Sequence, residues 1–195
     1  MTSFRRTAIR FAVPGLLTTV LLATTSIANA ANWRLDLSKS KLGFSGTQAG
    51  TKFQGTFTRY NAVIEFDPDH LDTSHIAVSV DLASATTNDR ECDAALPGKD
   101  WFDAAQFPTA KFETSAIRRR GADDYEAVGT LTLRGVTKPL VLPFSLETNG
   151  TFAHAKGHAE LIRSAFGIGQ GPWTTDQWVA LNVGVDIDVT ATREN

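Results

Sequence analysis

The sequence holds a single cysteine, Cys92, among its 195 residues. One thiol cannot form an internal disulfide, so packing rather than cross-linking must hold the fold together. A catalytic thiol needs a histidine or other positive neighbours, whereas residues 88–93 are mainly acidic apart from Arg90. We interpret Cys92 as an incidental thiol, and the sequence leaves any further role for it open.

The chain also lacks an excess of positive charge. Its 19 Lys and Arg residues face 21 Asp and Glu residues, and three of the arginines fall within the first 30 residues, so the remainder carries a net charge near −5. Nucleic acids require a concentrated basic patch. The one basic run, residues 118–120, adjoins a predicted Gly-Ala-Asp-Asp turn. The sequence therefore predicts no nucleic-acid partner.

The motifs of common enzyme classes are missing too. There is no G-x-S-x-G, H-E-x-x-H or C-x-x-C motif and no Walker sequence. His154 and His158 stand four apart in a predicted strand, which separates them by about 13 Å, too far for two ligands of one zinc ion. The sequence predicts no metal, no catalytic residue and no enzyme activity. A hydrolase of lipid esters stays open as an alternative.

No apolar run is long enough to span a bilayer. Residues 1–30 begin with a basic region, continue through an apolar stretch broken by Pro14 and Gly15, and end in Ala28-Asn29-Ala30. This pattern predicts a signal peptide cleaved after Ala30, and hence export to the periplasm. Residues 31–195 contain no linker or low-complexity stretch, which indicates one domain.

What the chain does have is period-two alternation of apolar residues, the pattern of half-buried strands. It recurs in eight segments, beginning with Leu42/Phe44, Phe53/Phe57 and Ile76/Val78/Val80/Leu82, and continuing in residues 112–117, 128–133, 140–146, 152–162 and 179–189. We predict an all-β domain, a single extended eight-stranded antiparallel β-barrel of the lipocalin-like kind, because closure removes exposed sheet edges.

Residues 87–108 lack the alternation and are predicted to form one or two short helices separated by Pro97-Gly98. Their apolar residues Leu96, Trp101, Phe102 and Phe107 could plug one end of the barrel or floor a cavity within it. An eight-stranded barrel is just wide enough to be filled by side chains or to hold one slender ligand. The pattern alone leaves two interpretations open, a filled core without ligand and a lipid tunnel.

Three glycines in residues 166–173, Phe-Gly-Ile-Gly-Gln-Gly-Pro-Trp, resemble a phosphate-binding loop. Such a loop requires a preceding strand and a following helix. Here a predicted strand follows instead, so we interpret Gly167, Gly169 and Gly171 as residues that let the chain bend.

Several stretches together resemble the YceI-like family of exported lipid-binding barrels. They are SKLGFSGTQ, GTFTRYNAVIEFDP, DWFDAAQFPTAKFET, GTLTLRGVTKPLVLPF and IRSAFGIG, which occur in the family's order across nearly the whole domain. The resemblance implies a barrel whose core binds a polyisoprenoid or an isoprenoid quinone. It also implies a periplasmic location, no metal and a homodimer.

The segments ALPGKDWF and GQGPWTTDQWVAL resemble members associated with a membrane b-type cytochrome, which implies ubiquinone as the ligand. Many relatives carry an Arg-Asp pair in the helical insert where this chain has Cys92-Asp93, so that headgroup contact lacks its arginine here. From the resemblance and strand parity, the predicted ligand-binding residues are Leu42, Phe44, Phe53, Phe57, Val78, Val80, Leu82, Trp101, Phe102, Phe112, Leu131, Leu133, Phe144, Phe166 and Trp178. A one-residue slip would invert the inward face of any strand.

We expect the mature protein to begin at Ala31 and to fractionate as a soluble periplasmic protein, because the Ala-Asn-Ala ending fits leader-peptidase specificity. N-terminal sequencing of protein purified from the cell envelope checks the site. An intact leader, or protein that stays with membranes after a salt wash, would contradict the prediction.

Overall fold

The computed structural model describes residues 30–194, so the predicted leader lies outside the described residues except for Ala30. One short helix, α1, and eleven strands make up the regular structure. The strands are β1 (Ala31–Leu35), β2 (Lys41–Gln48), β3 (Thr51–Phe57), β4 (Tyr60–Phe66), β5 (His75–Asp81), β6 (Ala85–Thr86), β7 (Thr109–Arg119), β8 (Asp124–Leu133), β9 (Val136–Asn149), β10 (Phe152–Ile162) and β11 (Asn182–Arg193). The helix α1 spans Arg90–Ala95.

The sheet closes on itself through β11. Strands β1, β4, β5, β7, β8, β9, β10 and β11 are hydrogen-bonded in that order, and β11 returns to β1, with every pairing antiparallel. Strands β2, β3 and β6 continue the sheet from the other part of β11. The structure therefore confirms an all-β, closed eight-stranded antiparallel barrel.

Eleven strands occupy eight positions because the first three positions are each broken in two. A 3₁₀ turn at Leu37–Lys39 separates β1 from β2, and both pair with the same side of β11. A second turn, Leu82–Ser84, separates β5 from β6. The Ser84 hydroxyl donates to Asp81 O (2.7 Å) and accepts from Arg59 N (3.1 Å) between β3 and β4. These side-chain bonds replace ladder bonds where the strands bend.

Two apolar clusters fill the barrel's ends. At one end Phe66 packs edge-on against Tyr125, with ring centroids 5.5 Å apart, and Tyr125 stacks on Phe144. The Trp33 indole N–H donates to Phe66 O (2.9 Å) within the same cluster. At the other end Phe57 packs between Phe44 and Phe102. The channel described below runs between these clusters.

Two glycines make room for aromatic rings between β2 and β3. Gly46 lies opposite Phe53, and a Cβ atom at Gly46 would stand 2.7 Å from the Phe53 ring. Gly55 lies opposite Phe44, whose ring would contact a Cβ atom at Gly55 even more closely. Each ring therefore occupies space that a side chain at the opposite residue would need, which explains why glycine interrupts these strands.

The segment 87–108 is less helical than predicted. Its one helix, α1, is capped by the Asp89 carboxylate, which accepts from Glu91 N and Cys92 N. After Leu96 the chain continues as hydrogen-bonded turns, including Phe102 N to Leu96 O (3.0 Å). Of the one or two predicted helices, the segment contains one, of six residues. No second helix follows in this segment, because Pro97-Gly98 leads into tight turns.

Residues 167–181 form an irregular loop that covers the end of the barrel at which Phe57 packs between Phe44 and Phe102. Arg163 holds this loop in place. The Arg163 side chain is 3 % exposed, and its guanidinium lies 5.6 Å from the Trp101 ring centre. The guanidinium donates to four backbone carbonyls, those of Ile168 (3.0 Å), Thr175 (2.9 Å), Val179 (2.7 Å) and Ala180 (3.0 Å). Burial lowers the pKa of Arg163 from its ordinary value.

The three glycines of this loop, Gly167, Gly169 and Gly171, all have positive φ angles (69°, 84° and 59°). Glycine tolerates this backbone conformation without steric cost. The interpretation that they let the chain bend is confirmed, although the bend serves a covering loop that ends at β11 rather than the strand itself.

We expect Arg163→Met to destabilise the protein by about 2–4 kcal/mol, because it leaves two buried and two partly buried carbonyls without their donor. Urea unfolding measures the loss, and amide hydrogen exchange should rise first in residues 167–181. Arg118→Met, which removes an exposed arginine from β7, is the matched control and should change stability by less than about 0.5 kcal/mol. Equal effects of the two variants would refute the assigned role of Arg163.

Candidate binding channel

Two adjoining cavities lie inside the barrel. The larger, of about 190 Å³, lies toward Trp101 and the covering loop, and the smaller, of about 130 Å³, lies toward Trp33 and Phe66. Five residues line both: Leu42, Val78, Phe112, Leu142 and Ile187. The two cavities therefore adjoin at these shared residues, and we refer to them together as the channel and to each as one of its halves.

The structure places fourteen of the fifteen predicted lining residues on this channel. Thirteen of them line the larger half: Leu42, Phe44, Phe53, Phe57, Val78, Val80, Leu82, Trp101, Phe102, Phe112, Leu131, Leu133 and Phe166. Phe144 lines the smaller half. The predicted inward faces are thus the observed ones, while the binding role of these residues stays a prediction.

The placement of Trp178 was wrong. Its side chain is 53 % exposed, and its carbonyl accepts from Ala49 N (2.8 Å). The neighbouring Val179 forms an isolated β-bridge with Gln48, is 5 % exposed and lines the larger half of the channel. Adjacent residues in extended backbone point to opposite faces, so the bridge turns Val179 inward and Trp178 outward.

Sequence reasoning missed much of the wall contributed by the last two strands. The alternation of Val183, Val185 and Ile187 in β11 was visible, and it could have identified these lining residues. In β10 the inward positions hold small residues such as Ala155 and Ala159, which carry little hydrophobic signal. These small side chains leave part of the channel beside them unfilled.

Apolar side chains form essentially the whole inner surface. Only Lys111 and Arg163 contribute charged residues to the larger half, and the Arg163 donors are engaged by carbonyls. Tyr60 lines the smaller half, and its hydroxyl is buried without a hydrogen-bond partner among the described residues. Burial raises the pKa of Tyr60, so the phenol stays neutral. The channel is suited to hold hydrocarbon rather than to perform chemistry.

Backbone pairing is incomplete in more than one stretch of the wall: β3 pairs with β6 only at Thr56 and Phe57, and a second gap lies between β9 and β10. Strand β10 pairs with β9 only from Phe152 to Gly157. Beyond this point residues 136–143 of β9 pair with β8 alone, and residues 158–162 of β10 pair with β11 alone. Leu142 and Leu161, on either side of this gap, both line the larger half of the channel.

The histidines of β10 lie on the outer face of the barrel. His158 contacts Asp186 (2.7 Å) and Glu160 (3.0 Å), and these carboxylates raise the pKa of His158. His154 contacts Asp188 (2.6 Å), which lowers the pKa of that carboxyl.

Within residues 30–194 no group of three or more His, Cys, Asp or Glu residues is arranged to hold a metal ion. None of the described helices is long and apolar enough to cross a membrane.

The Cys92 thiol is partly buried and lies 3.9 Å from the Gln48 side-chain oxygen. Burial raises the pKa of Cys92, which keeps it protonated and weakly nucleophilic. These surroundings favour the interpretation of an incidental thiol.

Comparison with known proteins agrees with this architecture. The chain is 34 % identical over 139 residues to a UPF0312 protein of Photorhabdus laumondii, covering 70 % of this chain and 72 % of that one. It is 32 % identical over 158 residues to a UPF0312 protein of Pseudomonas savastanoi pv. phaseolicola, covering 78 % and 79 %.

Solved structures share the fold. BcnA of Burkholderia cenocepacia superposes with a TM-score of 0.79 at 32 % identity, over 81 % of this chain and 99 % of that one. A polyisoprenoid binding domain from Saccharophagus degradans, implicated in plant cell wall breakdown, superposes with a TM-score of 0.68 at 14 % identity, over 85 % and 100 %. The family model for the YceI-like domain matches residues 33–191, which is nearly the whole barrel, and the chain belongs to the YceI-like family.

Proposed function

We propose that this protein binds one long, slender isoprenoid lipid in its barrel and carries it through the periplasm. The observation that carries the proposal is the internal channel, whose two halves are walled almost entirely by apolar side chains. Water gains nothing from such a lining, whereas a hydrocarbon chain is transferred into it favourably.

The energetics suit a polyisoprenoid. Each buried methylene contributes about 0.8 kcal/mol, and association costs about 4–15 kcal/mol. An isoprene unit carries five carbons, so several units offset this cost and leave micromolar or tighter binding, about −8 kcal/mol or better. The fold relative from Saccharophagus degradans is described as a polyisoprenoid binding domain, which supports the same ligand class here at the level of the fold.

The finer assignment is an isoprenoid quinone such as ubiquinone, with a membrane b-type cytochrome as a partner and a homodimer as the assembly. The quinone and the cytochrome rest on the resemblance of ALPGKDWF and GQGPWTTDQWVAL to cytochrome-associated relatives, and the homodimer rests on the resemblance to the family as a whole. The periplasmic location rests on the leader pattern of residues 1–30.

Two alternatives find less support. A lipid-ester hydrolase needs a nucleophile beside a base, and the residues that line the two cavities include no Ser, Cys, His, Asp or Glu. A filled-core module needs a barrel packed by its own side chains, whereas two cavities remain between these walls.

We expect protein purified from its own cell envelope to carry close to one organic-extractable isoprenoid per barrel. Native mass spectrometry gives the bound mass, and extraction followed by chromatography identifies chain and headgroup. A panel of lipid esters run in parallel tests the hydrolase. Purified protein that carries no lipid and also fails to take up ubiquinone would contradict the proposal. Turnover of the ester substrates would instead support the lipid-ester hydrolase.

Val80→Trp tests whether the channel is ligand space. Val80 is 9 % exposed and lines the larger half. We expect the added ring to occupy the channel, so that lipid binding falls while the delipidated protein keeps most of its stability. In a filled core the same overpacking costs about 1–3 kcal/mol with or without lipid.

Val63→Trp is the matched control, because Val63 lies in the neighbouring strand β4 with its side chain 55 % exposed. It should change neither stability nor binding. Thermal melts of delipidated proteins and a ubiquinone titration decide the matter. A strongly destabilised empty Val80→Trp protein, or unchanged binding in a folded one, would contradict the channel.

A further inference from the structure

The boundary between β9 and β10 is closed by backbone hydrogen bonds over only part of its length. The two strands are hydrogen-bonded from Phe152–Asn149 to Gly157–Phe144, and then each follows its other neighbour only. The unpaired parts, residues 136–143 of β9 and 158–162 of β10, have no backbone hydrogen bonds between them. We call this unpaired slit in the sheet the β9–β10 port.

The sequence of β9 explains why the ladder stops. Arg134 and Gly135 have positive φ angles (49° and 74°) and form a two-residue hairpin that pairs Leu133 with Val136. In such a hairpin the closing pair is hydrogen-bonded, and bonded pairs then recur at every second residue. Even-numbered residues of β9 therefore bond to β8, and odd-numbered residues direct their backbone groups toward β10.

Both prolines of β9, Pro139 and Pro143, occupy odd-numbered positions. Proline has no N–H, so neither can donate to β10, and proline within a sheet is confined to such unpaired edges. The two prolines span the part of β9 that lies beyond the last rung at Phe144. The port is thus encoded in the sequence and does not depend on a chance separation of the strands.

The port opens directly into the larger half of the channel. Leu140 and Leu142 on the β9 side and Ala159 and Leu161 on the β10 side all line that cavity. On the outer surface the rim is apolar as well, since Val141 is 46 % exposed and Ile162 is 47 % exposed. A hydrocarbon chain crossing this wall meets apolar side chains outside and inside.

A surface groove lies where the two strands part, lined by Pro143, Gly157 and His158. Phe144 and Ile187 border this groove and the channel alike. The groove and the smaller half of the channel therefore lie on opposite sides of these two residues. We call this groove the vestibule of the port. The vestibule is polar, whereas the channel beside it is apolar.

The vestibule carries an excess of negative charge. Four carboxylates line it, those of Asp124, Glu126, Asp186 and Asp188, against Arg120, Lys156 and His158. The cations are already paired: Arg120 with Glu126 (2.8 Å), His158 with Asp186 (2.7 Å) and Lys156 with Asp188 (3.8 Å). A diphosphate headgroup would find no free cation and would be repelled, whereas a neutral polar headgroup would not.

We propose that the β9–β10 port is the entry and exit site of the ligand, with the hydrocarbon chain passing between the two strands and a neutral headgroup retained in the vestibule outside. This inference rests on the proposed function, because it concerns how the same channel is filled. It places lipid exchange on the side of the barrel, away from the two covered ends.

Cross-linking the port tests the route. In a Cys92→Ser background, Val141→Cys and Glu160→Cys place two outward-facing thiols on opposite sides of the slit, where continuation of the β9–β10 register would pair them. A disulfide draws the strands within its limit of about 7 Å between Cα atoms. We expect uptake and release of ubiquinone with two isoprene units, followed by stopped-flow quenching of tryptophan fluorescence, to slow at least about tenfold and to recover with reductant.

The matched control is Asn149→Cys with Phe152→Cys, which bridges an exposed rung that is already paired and lies outside the vestibule. Its exchange rates should equal those of the parent. If either disulfide fails to form, the same bifunctional thiol reagent bridges both pairs, and the comparison stands. Unchanged exchange in the bridged 141–160 protein, or equal slowing in the control, would overturn the port. Failure of the parent to take up ubiquinone at all would instead overturn the proposed function and the port with it.

Headgroup preference gives a second readout that cross-linking does not touch. Geranylgeraniol and geranylgeranyl diphosphate share one chain and differ only in the headgroup. We expect the alcohol to compete with ubiquinone at least about tenfold better than the diphosphate, because the vestibule is acidic. Equal competition would refute the assigned vestibule while leaving the cross-linking result to decide the route.

Discussion

Closure of the sheet through β11 is the constraint on which the remaining structure depends. This strand pairs with β10 along eleven residues on one side and with β1 and β2 on the other. The turn at Leu37–Lys39 lets two strands share that second side. Once the ring is closed, one face of every strand is turned inward, and alternation makes that face apolar. The apolar interior is therefore a consequence of sheet closure and of the alternation within each strand.

Each end of the barrel is closed by a different means. Aromatic packing closes the end near Trp33, Phe66 and Tyr125. At the other end the loop 167–181 is held by one buried arginine that bonds only to backbone carbonyls and faces an indole ring. Aromatic packing tolerates small shifts, whereas a fan of directed hydrogen bonds fixes the loop in one position. The side wall between β9 and β10 is closed by neither of these means, and its backbone pairing ends at Gly157 and Phe144.

Local pattern was sufficient for the inward faces, because alternation is a property of each strand by itself. It predicted the placement of Phe44, Val80 and Leu131 correctly and failed at Trp178, where a single bridge in an irregular loop sets the orientation. The gap beside β9 was beyond such reasoning. Pro139 was visible in the sequence, but its meaning depends on which neighbour receives each backbone group, and pairing is non-local.

Apart from the Tyr60 hydroxyl and Lys111, the lining is apolar, and this limits how the proposed ligand channel can discriminate among hydrocarbon chains. One methylene more or less in an apolar pocket changes the binding free energy by only about 1–3 kcal/mol. Chains of equal girth are then ranked mainly by stiffness, since a chain with fewer rotatable bonds loses less conformational entropy when confined. The methyl-branched, regularly unsaturated backbone of an isoprenoid is stiffer than a saturated acyl chain of the same length. Confinement in the channel therefore favours stiff hydrocarbon chains over flexible chains of the same girth.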